Sequence, residues 1–473
     1  MQPLRTSIWL HDSNETASGK PGTLQSDPAS WWGNHRPLMI QTGALGPIED
    51  SHVNFAGFRV ITVTNNVITA INFISADRLA QNNYELSWED AIRIDPPRHL
   101  PFVGRSEQYG APTAAEPPHV CSLGGNVYDI VYRNGAGQVL ELWRDADNGQ
   151  SGTGNLTAVA QAPLATGSPR PYVNTNIDQM IVPYRAADGV VHSVYSLPGG
   201  TGHDNLSGTA NGPKAEGNPS GFYNPGSDLH HVIYRSSDGH LHAIYWHANE
   251  VAAQEDLFWT PFPAAAGDPS AYFGGGSNVI AYRGKDGEIH TIYWSGADAA
   301  GHDSLSAVAG MPHAAGDPIA YHFLREGQDT HQVTYRATDG QIIELWWVGA
   351  APVQGFSPSA AAGAPPAASD PAAYYNPEAD AKYVTYISAD GHIHECRWKP
   401  GGPVAHSDLT IDTGAPLGQG QPSAFYVSGP RTRHVVYKGQ DGHVYEIVLK
   451  YGRALPGELP TPMNPGGGGV LNG

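Results

Sequence analysis

Four glutamates recur in one setting, each inside a run of β-forming residues. Glu141 stands two residues before Trp143, and Glu344 two residues before Trp346. Glu395 and Glu446 occupy the same place in related runs, with Arg397 and Val448 two residues on. Residues two apart on a strand share a face. A carboxylate and an indole on one face suit a sugar, whose ring stacks on the aromatic while its hydroxyls donate to the carboxylate. The same glutamates can instead pair with arginines of neighbouring strands, such as Arg133 or Arg336. His240 with His242, and His392 with His394, have a spacing that can chelate. No local cysteine or carboxylate completes either set, so hydrogen bonding is the expected histidine role, with no metal and no cofactor. Single turn aspartates fall short of a calcium loop. No nucleophile elbow, His-Glu-x-x-His or phosphate-binding glycine loop is present, so no catalytic residue is assigned.

These residues sit in a repeat. Seven anchor tyrosines, Tyr132, Tyr184, Tyr234, Tyr282, Tyr335, Tyr386 and Tyr437, follow one another at spacings of 52, 50, 48, 53, 51 and 51 residues. Each is followed by a turn ending in Asp-Gly (Ala136-Gly137 in the first), between two β-patterned runs. That is a hairpin signal, because glycine supplies the positive φ the turn needs. A Gly/Ser-x-Pro-x-x-aromatic signature precedes most hairpins, as at Asp268-Pro269 to Tyr272. A His-x-x-Leu pattern, as at His203 to Leu206, often follows and is read as a fourth strand. Four short strands per ~50 residues make an all-β fold, a β-propeller of four-stranded blades. Ten residues after the anchor come Leu142, Val194, Ile244, Ile292, Leu345, Cys396 and Ile447, a core position between blades that makes Cys396 a buried thiol.

Ser26-Asp27-Pro28 matches Ser369-Asp370-Pro371, and residues 58–64 and 67–74 read as a hairpin around Asn65-Asn66. The expected organisation is one propeller over 1–455, of eight blades. It comprises a closing strand in 1–16 (at 5–11), a degenerate blade over 17–95 with an insertion at 33–57, seven repeats over 117–450, and a flexible tail over 456–473. The alternative is seven blades, closed by 84–94, with 1–80 packed outside.

The 473-residue chain carries 26 basic and 45 acidic residues, a net charge of −19. That balance argues against binding phosphate backbones or anionic lipid, and no apolar run is long enough to insert in a membrane. Two distant cysteines rule out a disulfide framework. Residues 1–12 show no apolar signal core, which leaves the compartment open.

Units such as His434-Val435-Val436-Tyr437, followed by Asp441-Gly442-His443-Val444-Tyr445-Glu446, resemble those of the fucose-binding propeller lectins of fungi and bacteria. That resemblance implies sugar sites between adjacent blades, built from an Arg on the second strand, a Glu on the third and aromatics of the neighbouring blade. Glu141, Glu344, Glu395 and Glu446 fall at the Glu position. The Arg position, three before the anchor, reads Asp129, Ile181, His231, Val279, Gln332, Tyr383 and His434, so fucose specificity does not carry over; His434 with Glu446 could still hold a polyol. The repeat also resembles secreted bacterial propellers that bind proteases. The expected function is glycan binding through Glu141, Trp143, Glu344, Trp346, Glu395, His434 and Glu446. The alternatives are a protein-binding scaffold such as a protease inhibitor, and an enzyme using the insertion (Trp32, His35, Glu49, Asp50) at the channel.

Overall fold

A computed structural model describes residues 102–450, apart from 124–125, 198–199, 249, 259–261, 297 and 299, together with three strands of the N-terminal region. Those three, Leu38–Met39, Gly57–Thr64 and Val67–Ser75, form an antiparallel sheet within a compact unit spanning Met1–Leu100. The expected hairpin is present, with a register shift between Thr62 and Val63. The assigned strand at 5–11, the alternative closer at 84–94, most of the insertion and the tail from 456 lie outside the described residues.

The second unit, Pro101–Gly473, holds seven four-stranded antiparallel sheets. The first blade runs through His119–Ser122, Val127–Arg133, Val139–Asp145 and Ser151–Asn155. The innermost strand of each blade contacts that of the next, and the seventh, Gly418–Val427, contacts the first. The propeller thus has seven blades, the alternative reading, rather than eight. Its last blade consists of Gly418–Val427, Thr432–Gly439, Val444–Lys450 and, as fourth strand, Phe102–Gly104. A strand N-terminal to the repeats does close the ring, but it is Phe102–Gly104, between the expected degenerate blade and the first repeat, rather than residues 5–11.

The repeat signature has direct structural causes. All seven turn glycines, from Gly137 to Gly442, have φ between 81° and 90°, where a Cβ is strained. Each closes a turn by donating its N–H to the carbonyl three residues back, as Gly137 does to Asn134. In six blades the preceding Asp accepts the N–H two residues on, as Asp188 does from Val190 at 2.9 Å. The glycine carbonyl then receives the N–H of a residue in the next blade. These seven links, including Ala114 to Gly442 across the closure, are each 2.8 Å long. The anchor tyrosines are fully buried, and five of them donate to the carbonyl of an upstream proline, as Tyr132 does to Pro112. The tyrosine thereby ties the second strand to the loop that leads into its own blade.

The expected Leu strand is a short helical turn. Leu206, Leu305 and Leu409 open the turns Leu206–Thr209, Leu305–Val308 and Leu409–Thr413, while the residues just before them, including His203, form the fourth strand. The next residue of each turn is a buried Ser or Thr that accepts the N–H starting the third strand, as Ser207 does from Val191 at 2.8 Å. After the closing strand, Ser106 does the same for Val444 at 3.0 Å. Residues 102–108 therefore follow the repeat with one change: Arg105 replaces the leucine.

Candidate functional site

Alternation on the strands brings one face of each blade against the opposite face of the next. Counting from the anchor tyrosine, positions −3, +9 and +11 of one blade meet positions −4 and +12 of its successor. An aromatic on the innermost strand, paired with position −3, completes most of these interfaces. Seven interfaces result, alike in backbone and different in chemistry.

Between the fifth and sixth blades, the Glu344 side chain is fully buried. Its Oε1 accepts from Lys382 Nζ at 2.8 Å and from Gln332 Nε2 at 3.2 Å. Its Oε2 is buried without a partner. Burial raises the carboxyl above its ordinary range, against the opposing charge of Lys382. Lys382 Nζ lies 5.4 Å from the Trp346 ring centre, 6.0 Å from Trp398 and 5.9 Å from Phe323. Trp346 itself is half-buried and reaches the pocket mouth.

Between the sixth and seventh blades, Glu395 is also fully buried. Arg433 stands 3.2 Å from its Oε1 and Arg397 3.8 Å away, yet neither carboxylate oxygen accepts a hydrogen bond. The Arg433 guanidinium lies over the Tyr383 ring at 5.2 Å.

At the ring closure between the seventh and first blades, Glu446 is saturated. Its Oε1 accepts from Tyr128 Oη at 2.7 Å and from His434 Nδ1 at 2.6 Å, and its Oε2 pairs with the Arg105 guanidinium. Burial would raise this carboxyl, but the His434 hydrogen bond and the Arg105 charge hold it down at about 2. A shallow depression beside this network is lined by Arg105, Tyr109, Tyr128, Trp143, Arg144 and Ser151 among others.

Between the first and second blades, Glu141 and Trp143 are only partly buried. Position −3 here is Asp129, buried at 3% exposure, with its Oδ2 unpartnered. Burial and then the Glu141 charge push the Asp129 carboxyl up to about 7.

The remaining three pockets have Ser193, Ala243 or Thr291 in place of the glutamate. They hold histidines instead. His230 and His331 stack on Trp246 and Trp347 with ring centres 4.9 and 5.0 Å apart. His231 stacks on Phe222 at 4.8 Å with both ring nitrogens unpartnered.

The seven residues picked from the sequence thus divide among four pockets. Arg133 and Arg336 are not partners of these glutamates; they pair with Glu116 and Asp370 beside the loops. The partners are Lys382, Arg433 and Arg105, which the sequence reading missed. Two of them share position −4, a column reading Tyr128, Met180, His230, Asn278, His331, Lys382 and Arg433. It becomes visible only when opposite faces of successive blades are matched. Arg105 could be found by aligning Arg105-Ser106 with Leu206-Ser207 and Leu305-Ser306.

Among the described residues, no group of three His, Cys, Asp or Glu side chains could hold a metal ion. The histidine pairs serve the blades: His242 and His394 meet Ser236 and Ser388 at 3.0 and 2.9 Å, and His240 and His392 meet Asp256 and Asp408. Cys121 and Cys396 are free, buried thiols.

The sequence matches no protein-family model and no curated protein. The structure is similar to the BP39L lectin from Burkholderia pseudomallei at 14% identity and a TM-score of 0.53, covering 72% of this chain and 96% of that one. A fucose-recognising lectin of six-bladed propeller fold from Aleuria aurantia is 15% identical with a TM-score of 0.43, over 62% of this chain and 94% of its own. AofleA from Arthrobotrys oligospora is 16% identical with a TM-score of 0.40, over 60% and 82%. The chain is therefore an all-β propeller of seven blades whose fold is similar to that of the BP39L lectin.

Proposed function

We propose that this protein binds glycans in pockets between consecutive blades, with the Glu344–Trp346 pocket as the principal site. The observation that carries this reading is Glu344 Oε2, a buried carboxylate oxygen without a partner, on the same strand face as the half-exposed Trp346. A pyranose laid on the indole presents hydroxyls to that oxygen. Lys382 opposes the effect of burial on the carboxyl, holds it in place and leaves Oε2 as the acceptor. A buried acceptor gains more from a ligand hydroxyl than an exposed one, since it loses no water to bind it. Glu395, with two oxygens free of hydrogen bonds, supports a second pocket of the same kind. Glu446 and His434 have spent their bonding capacity on one another and on Arg105, so we leave them out of the binding set and assign them to ring closure. Several weak pockets on one ring act together on a multivalent surface.

A glycan array probed at high protein density, followed by titration of the best monosaccharide, tests this. Trp346→Ala keeps the Glu344–Lys382 pair and is expected to weaken binding at least about tenfold; one aromatic stacking contact is worth ~1 kcal/mol or more beyond its burial. Glu344→Gln removes the charged acceptor and is expected to weaken it further, with urea unfolding reporting that the ring persists. Binding unchanged in Trp346→Ala, or an array with no signal, sinks the assignment.

A further inference from the structure

The interface between the first and second blades departs from the other glutamate interfaces in four ways. It has two carboxyl groups, Asp129 and Glu141, at the positions where the others pair one glutamate with Gln332, Tyr383 or His434. Among the described residues it has no built-in cation: position −4 of the second blade is Met180, where the interfaces of Glu344 and Glu395 draw Lys382 and Arg433. Met180 instead packs among apolar neighbours that include Cys121 and Val131. The innermost strand contributes Cys121 opposite Asp129, where six other blades place Tyr or Phe opposite position −3. Finally, the fourth strand has glycines opposite both Glu141 and Trp143. A Cβ at Gly154 would come within 2.5 Å of Glu141 Oε1, and one at Gly152 within 2.7 Å of Trp143 Nε1.

The result is an interface with two carboxyl groups, Asp129 inside and Glu141 outside, beside an indole. Asp129 lies at the floor, nine-tenths buried and more, with Oδ2 unpartnered. Glu141 and Trp143 stand half-exposed at the mouth, whereas Glu344, Glu395 and Glu446 are fully buried. Two carboxyl groups without a cation call for positive charge from outside, and an indole beside them favours both a cation and the face of a sugar ring. Three donors on an ammonium match carboxylate oxygens on two residues.

Resting on the reading that the inter-blade pockets are ligand sites, we infer that this pocket takes an amino sugar, its ammonium group between Asp129 and Glu141 and its ring against Trp143. The ligand class is set by the charge: a neutral or N-acetylated sugar leaves the floor carboxyl unpaired.

Isothermal titration of the intact chain with glucosamine, glucose, N-acetylglucosamine and Nα-acetyl-lysine amide near neutral pH tests this inference. Glucosamine is expected to bind at least about tenfold more tightly than glucose or N-acetylglucosamine, since a charge-assisted hydrogen bond is worth roughly twice a neutral one. Asp129→Asn, which keeps shape, is expected to abolish that preference, and Trp143→Ala to weaken glucosamine without abolishing the preference. Equal binding of glucosamine and N-acetylglucosamine, or no binding of glucosamine, overturns the inference. So does a preference that survives Asp129→Asn. Lysine amide binding as tightly as glucosamine shows a bare ammonium site and overturns the sugar assignment. Trp346→Ala separates the two proposals: it leaves glucosamine binding intact here while removing the principal site.

Discussion

The closure between the seventh and first blades and the neighbouring interface between the first and second use the same strand positions, yet treat a carboxylate in opposite ways. At the closure, Glu446 meets Arg105, His434 and Tyr128 and retains no free oxygen. One interface later, Asp129 feels the charge of Glu141, and no cation is supplied among the described residues. The backbone does not explain the difference, because both are interfaces between equivalent sheets. The partner residues do. The closure joins two segments 341 residues apart, at Arg105 and Glu446, and a buried ion pair there fixes which strand completes the ring. The next interface is continuous in the chain and needs no such lock. A carboxylate whose two oxygens are both satisfied inside the protein, as in Glu446, is structural, whereas Asp129 keeps an unpartnered oxygen.

Breaking the lock gives the largest effect. Glu446→Ala leaves Arg105 buried and uncompensated, which costs about 3–5 kcal/mol when one partner of a buried pair is removed. A lower urea midpoint with a broadened transition is the expected outcome. Adding Arg105→Leu, the residue type that opens the equivalent turn at Leu156, Leu206, Leu305 and Leu409, removes the orphaned charge. That double variant is expected to recover most of the loss. If Glu446→Ala alone is neutral, the pair does not hold the ring.

How much of this was legible in the sequence follows from what repeats. The propeller, the blade period and the core column at +10 could be read directly, because turn glycines and buried tyrosines recur for backbone reasons in every blade. The blade number could not. A hairpin at 57–75 and a Ser-Asp-Pro match suggest another blade, but strand pairing within a hairpin does not say which sheet it joins. The closing strand Phe102–Gly104 is only three residues long, and its marker is Ser106, a hydroxyl whose acceptor role shows only in three dimensions. The glutamates were visible as a column, but their partners were not. Lys382 and Arg433 lie in the next repeat on the opposite strand face, so no local spacing connects them to Glu344 and Glu395.

The unpaired interface gives a smaller effect of opposite sign. The Asp129 carboxyl is raised to about 7 by burial and by Glu141, so its protonated form stabilises the fold below the unfolded value of about 4. That contribution is lost as pH rises through about 7. Asp129→Asn does not titrate. It is expected to raise stability at pH 8 and to match the parent at pH 4, as read from thermal melts at the two values. A loss of stability at pH 8 would mean that Asp129 is paired after all.

The histidine interfaces between the second and fifth blades sharpen the comparison most finely, because they place partnered and unpartnered imidazoles side by side. His230 meets Tyr172 Oη at 3.0 Å and Asn174 Nδ2 at 3.2 Å, while neighbouring His231 has no partner on either nitrogen. Burial lowers both to about 4, with the Asp228 charge opposing it for His230 and His230 itself adding to it for His231. For a histidine held neutral, the sign is that of a depressed group: its stabilising contribution is full above about 6.5 and is lost as pH falls through about 4. At pH 7, His231→Phe replaces an unpartnered ring stacked on Phe222 with an apolar ring, and is expected to gain under ~1 kcal/mol. The advantage should widen toward pH 5, where the parent's neutral ring resists the proton that the unfolded chain accepts. His230→Phe orphans Tyr172 and Asn174 and is expected to lose stability at pH 7, so opposite signs at adjacent residues, measured by urea unfolding, separate a satisfied buried imidazole from an unsatisfied one. Equal signs would show that stacking, not hydrogen bonding, decides what these interfaces tolerate.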